Sequence, residues 1–205
     1  MLMKISLQNL GKRFNREWIF RYLNYEFVPG RSYAITGPNG SGKSTLLQVI
    51  GGSSTLSEGK VVYNNSKDED VYKHIAIAAP YLELVEEMTL TEFLHFHSAL
   101  KPLLPAITPK GIIAVTALEK ASDKQIRYFS SGMKQRVKLA QAIFSDVGIV
   151  LLDEPTTNLD EDGILLYKNL VNDYCRERLL IISSNDKQEY DFCDEVIDMR
   201  ELKMV

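Results

Sequence analysis

The chain has 205 residues, 45% of them hydrophobic and 25% charged, and a formal net charge of −3. That balance is ordinary for a soluble globular domain and excludes wholesale disorder, collagen and a disulfide-stapled miniprotein. Apolar runs such as Ile149–Leu152 fall far short of the roughly 20 residues that cross a bilayer, the N-terminus lacks a secretory pattern, and Cys175 and Cys193 fit a reducing compartment rather than a disulfide framework.

Taken in chain order, strand-like and helix-like stretches alternate. Met3, Ile5 and Leu7 repeat at a period of two, as do Leu23, Tyr25 and Phe27, which predicts two half-buried strands. Pro29-Gly30 marks a turn. Ser32 to Thr36 reads as a short buried strand that runs into a glycine-rich loop, with a helix over about Lys43 to Ile50 behind it. Val61 to Tyr63 and Ile75 to Ala79 are further strands. Thr89-Leu-Thr-Glu92 has the spacing of a capping box and opens a helix to about Leu100, broken by Pro102 and Pro105. Thr108-Pro109 predicts a cap with proline at the first helical position and a helix through about Lys120. Ser131 is the expected cap of a third helix, with Met133, Val137, Ala140 and Phe144 on one face. Gly148 to Leu152 and Leu179 to Ser183 read as buried parallel strands, joined by a helix over Asp160 to Tyr174.

The loop carries the first chemistry. Gly37, Pro38, Asn39, Gly40, Ser41, Gly42, Lys43 and Ser44, followed by Thr45, match G-x-x-x-x-G-K-[ST]. A match arises by chance about once in a hundred chains of this length, and here a buried strand precedes it and a helix follows. The glycines let the backbone curl so that several N–H groups and the helix N-terminus point at one place, an anion cradle. Lys43 is placed to reach the β- and γ-phosphates of a nucleotide and the Ser44 hydroxyl to hold Mg²⁺.

Three more segments sharpen the class: Phe129-Ser130-Ser131-Gly132-Met133, the apolar strand ending in Asp153-Glu154-Pro155, and Thr156-Thr-Asn-Leu-Asp160. In this order and over essentially the whole length, the chain resembles the ATP-binding cassette (ABC) family, the nucleotide-binding subunits of ABC transporters. The resemblance implies an α/β fold with a P-loop NTPase core and a mixed, largely parallel sheet. Residues 1–80 and 146–205 would form that core with an N-terminal antiparallel β subdomain, and 81–145 an inserted helical subdomain. It implies ATP and Mg²⁺ as cofactors, Asp153 as a metal-holding acid and Glu154 as the base that orients the attacking water. Ser130, Ser131 and Gly132 would contact the γ-phosphate bound on another subunit, and Asp160 would link the two sites. Phe14, 29 residues before Lys43, resembles the aromatic that stacks on adenine, with Trp18 and Tyr22 as alternatives.

Two departures stand out. The family's glutamine after the strand Ile75 to Ala79 is absent from Ala79-Pro80-Tyr81-Leu82-Glu83, with Glu83 the candidate replacement. The family's histidine after Leu179 to Ser183 is replaced by Asn185, which can donate a hydrogen bond but cannot carry positive charge. His74, His95 and His97 lie elsewhere, and the last two face different ways on a helix. The expectation is a functional but slow ATPase that works as a homodimer or as a heterodimer with another ABC subunit. It would energise an integral membrane transporter subunit from the cytoplasmic face. Nucleic acid is not an expected partner. A soluble ABC ATPase and a degenerate nucleotide-binding regulator stay open as alternatives.

Overall fold

Residues 3–64 and 68–202 are described in a computed structural model, and their strands form two sheets. The first has three antiparallel strands in the order β2-β1-β4: β1 (Ile5–Phe14), β2 (Glu17–Phe27) and β4 (Glu58–Tyr63). β1 is longer than its alternation predicts. Register shifts between Leu7 and Leu10 and again between Leu10 and Lys12 reset the period of two, so the pattern breaks while the pairing continues to Phe14.

The second sheet has five strands in the order β5-β6-β7-β3-β8, and every pair is parallel. These are β3 (Ser32–Thr36), β5 (Ile75–Ala78), β6 (Ile149–Asp153), β7 (Leu179–Ser183) and β8 (Glu195–Asp198). β6 and β7 are buried at every position, as continuous apolar runs require when both sheet faces are covered. Their side chains divide between two cores. Val150, Leu152, Leu180 and Ile182 pack among the helices with Phe144 and Tyr167. Ile149, Leu151, Leu179 and Ile181 pack on the other face with Phe20, Phe27, Leu46 and Leu47, between the two sheets and helix α1.

The helices are α1 (Lys43–Ile50), α2 (Leu90–Leu100), α3 (Pro109–Val115), α4 (Ser131–Ile143), α5 (Glu161–Tyr174) and α6 (Met199–Leu202). The capping box forms: Glu92 N–H donates to Thr89 Oγ1 at 3.2 Å and Thr89 N–H to Glu92 Oε2 at 2.8 Å. Two expectations are corrected, and two elements go beyond them. Helix α3 stops at Val115 instead of Lys120, because Ala117 turns to φ 55° and Leu118 N–H returns to Ile113 O. The cap of α4 is Ser130, not Ser131; its Oγ accepts from Met133 N–H at 3.3 Å. β8 and α6 had no signal in the sequence, since Glu195–Asp198 is a four-residue edge strand with Val196 facing out. No helix among the described residues is long and apolar enough to cross a membrane.

Candidate active site

Because the five strands are parallel, their carboxyl ends share one edge, where α/β folds place their ligands. β3 ends in the glycine loop, β6 in Asp153, β7 in Ser183 and β5 at Ala78. Asp153 is level with Ser183, and Ser183 with Ile35 of β3. The phosphate loop, the acid pair and the segment after β7 therefore meet.

Gly42 turns the loop into α1 at φ +99°, and a Cβ there would lie 2.5 Å from Ile19 Cγ2. Gly42→Ala combines that clash with left-handed strain of about 1–3 kcal/mol; a clear drop in melting temperature on thermal unfolding is the expected result. Lys43 is buried, and its ammonium donates to Gly37 O at 2.8 Å and reaches Pro38 O at 3.5 Å. The lysine thus lies folded over the loop it is meant to serve. Ser41 Oγ is buried without a hydrogen-bond partner among the described residues. Ile19, Asn39, Gly40, Gly42, Lys43, Ser44, Thr45 and Glu154 line one depression of about 350 Å³.

Asp153 is 2% exposed, and its Oδ1 also has no partner among the described residues. Glu154 is exposed, sits at φ 44° and donates its N–H to Ser183 O at 2.9 Å. It borders both the loop depression and a neighbouring one of about 310 Å³ that includes Asn39, Thr156, Ser184, Asn185 and Glu189. Asn185 rests on the loop: Oδ1 accepts from Gly37 N–H at 3.2 Å and Nδ2 donates to Asn39 Oδ1 at 3.1 Å.

Ser130, Ser131, Gly132 and Asp160 line a different depression of about 570 Å³, which shares no residue with the first. Gly132 is needed for close approach, since a Cβ there would lie 2.9 Å from Asn158 O. Asp160 caps α5 by accepting from Gly163 N–H at 2.9 Å; that bond, with Arg136 at 3.3 Å, holds its carboxyl below the usual range.

Phe14 is 51% exposed at the end of β1, with Lys12 Nζ 4.7 Å from its ring centroid. Neither Phe14 nor Trp18 nor Tyr22 lines the loop depression; Ile19 of β2 does. Trp18 and Tyr22 are instead covered by Arg21, at 4.3 and 4.6 Å. In the segment without glutamine, Tyr81 approaches Asp153. Burial, and then the Asp153 carboxylate, push its phenol above the usual range, and its side chain bonds to Gln48 of α1. Glu83 is exposed and its charge acts on Lys138. The three histidines form no pair: His97 Nε2 lies 3.0 Å from Ser145 Oγ, while His95 is exposed.

A glycine loop between a buried parallel strand and a helix, with an acid pair at the end of a second strand of the same sheet, defines a P-loop nucleoside-triphosphatase fold. A family model described as ABC transporter matches residues 20–157. An uncharacterised ABC transporter ATP-binding protein, YybJ of Bacillus subtilis, is 30% identical over 95% of this chain and 92% of its own. The tungstate uptake system ATP-binding protein TupC of Peptoclostridium acidaminophilum is 30% identical over 95% and 94%. Among solved structures, a putative ABC transporter ATP-binding protein from Pyrococcus furiosus superposes with a TM-score of 0.81 at 21% identity, covering 97% of this chain and 98% of that one. The chain belongs to the ABC transporter family, as one of its ATP-binding, ATP-hydrolysing subunits.

Proposed function

We propose that this ATPase works by closing two copies, or one copy and another ABC subunit, around ATP, and that it drives a membrane-spanning partner. The observation that carries the catalytic part is that Glu154 borders the same depression as Lys43 and Ser44. Backbone N–H groups between Asn39 and Thr45 and the Lys43 ammonium grip the β- and γ-phosphates. Glu154 accepts a proton from the attacking water and aims it at the γ-phosphorus. Asn185, anchored on Gly37 and Asn39, offers its amide to the γ-phosphate.

The donor set fits Mg²⁺. Asp153 Oδ1, buried and without a partner among the described residues, and the Ser44 hydroxyl are hard oxygen donors at the strand end and the helix start. Bound there, the ion neutralises phosphate charge that develops in transfer. Chelating Mg²⁺ with EDTA is expected to abolish phosphate release, and excess Mg²⁺ to restore it.

The separation of the two depressions supports a second copy. Ser130, Ser131, Gly132 and Asp160 sit away from the phosphate loop of their own chain, so they serve the γ-phosphate held by a partner chain. Two-fold head-to-tail pairing satisfies both sites. Tyr81, Val85 and Phe96 are exposed on the segment after β5 and on α2, and provide a surface for the membrane partner. The relative TupC is named for uptake of tungstate; in this chain the cargo is chosen by the membrane partner, and the energy module works at the cytoplasmic membrane face.

Gel filtration of Glu154→Gln tests the pairing. A dimer with Mg-ATP and a monomer with Mg-ADP is expected; a monomer in both contradicts it. A neutral amide at 185 stabilises growing negative charge less than an imidazolium, so turnover is slow. Asn185→His is expected to raise kcat several-fold in a steady-state assay, and unchanged turnover would overturn the charge argument.

A further inference from the structure

We infer that Gln135 and Glu189 are positioning residues that clamp the peptide after the general base and so fix where Glu154 points. The inference rests on the reading of Glu154 as that base. Both polar groups of one peptide unit, the Pro155 carbonyl and the Thr156 N–H, are held by side chains. Gln135 Nε2 donates to Pro155 O at 2.7 Å. Glu189 Oε1 accepts from Thr156 N–H at 2.6 Å and from Thr156 Oγ1 at 2.5 Å. Gln135 and Glu189 are each 3% exposed. They come from different elements: Gln135 from α4, and Glu189 from the turn after β7.

The clamp acts through proline. The Pro155 ring fixes its own φ, so orienting the Pro155–Thr156 plane leaves the chain on that side of Glu154 little freedom. On the other side, Glu154 N–H is tied to Ser183 O and Asp153 belongs to β6. Glu154 is thereby pinned from both directions at φ 44°, a region strained for a residue with a side chain. It also precedes proline, which narrows its choices further. A carboxylate is costly to bury, and Glu189 makes no ion pair among the described residues. Its side chain is spent on Thr156 and on Ser184, the neighbour of Asn185. Its backbone carbonyl is held in turn by the Tyr167 hydroxyl at 2.6 Å. Apolar residues here would leave the Pro155 carbonyl and the Thr156 N–H without these partners; the polar pair satisfies both and fixes the peptide plane beside the reacting acid.

Steady-state kinetics and equilibrium ATP binding on the full chain test the clamp with three variants. Gln135→Glu keeps the shape and loses the donor. Glu189→Ala loses the acceptor, and Glu189→Gln keeps an Oε1 that accepts from Thr156. A misplacement of about 1 Å costs on the order of a hundredfold, so Gln135→Glu and Glu189→Ala are each expected to lower kcat at least about tenfold. KM and ATP affinity should stay within about twofold, and Glu189→Gln should recover most of the loss. Undiminished kcat, a KM that rises as kcat falls, or a Glu189→Gln as impaired as Glu189→Ala would overturn the clamp. If the first two variants fail to fold, Gln135→Met removes the donor to Pro155 O without placing a charge against it. A reduced kcat at constant KM then supports the clamp, and an unchanged kcat overturns it. Glu154→Gln separates the two claims: if it still turns over ATP, the base assignment falls. If it is inactive while the clamp variants are fully active, only the clamp falls.

Discussion

Glu154→Gln is expected to lower ATP turnover by about 10²–10⁴-fold, the range a positioned general base contributes, while nucleotide affinity stays close to that of the parent chain. The amide has the shape of the carboxylate and fits the same depression, so the pocket persists. What disappears is the acceptor for the water proton. Asp153 cannot take over, because it is buried at the end of β6 and is assigned to the metal. Tyr81 cannot either, since its phenol is pushed up and stays protonated. Single-turnover phosphate release alongside equilibrium binding separates the outcomes. A loss of binding equal to the loss of turnover would make Glu154 a binding residue instead of the base.

Lys43→Ala is expected to weaken nucleotide binding itself. In the structure the ammonium is satisfied by the Gly37 and Pro38 carbonyls, so it is already desolvated and held at the loop. Phosphate oxygens replace neutral acceptors with charged ones, and such bonds are shorter and stronger. Each hydrogen bond to a charged group is worth about 1.5–3 kcal/mol, so the affinity for ATP should fall by roughly one to two powers of ten. AMP, which lacks the β- and γ-phosphates, should lose far less. Equal losses for ATP and AMP in calorimetry would show that the substitution damaged the loop fold and not a phosphate contact.

What was legible in the sequence was local. The phosphate loop, the acid pair after β6 and the capping box at Thr89 are each written in a few consecutive residues, and each forms as read. The parallel sheet followed from β6 and β7, whose uninterrupted apolar runs allow little else. The misses share a cause as well. Gln135 meets Pro155 across 20 residues and Glu189 meets Thr156 across 33, so no spacing rule finds them. Ile19 is one more position in an antiparallel strand until the sheet places it over Gly42. Tyr81 stands in the segment without glutamine, and nothing in the sequence marks it over Glu83 until the fold brings it to Gln48 of α1 and to Asp153. Ala117 ends α3 early by turning to φ 55°, which helix periodicity does not encode. β8 was too short and too exposed to show an apolar pattern.

The measurement that bears most directly on the two-site mechanism is Mg²⁺-dependent phosphate release per chain, followed across a wide range of protein concentration. Pairing requires turnover per chain to climb with concentration and level off as the dimer saturates, because the Ser130–Gly132 depression of one chain must meet the loop of another. Turnover per chain that is constant from the most dilute sample upward, in a protein that remains monomeric, would contradict it.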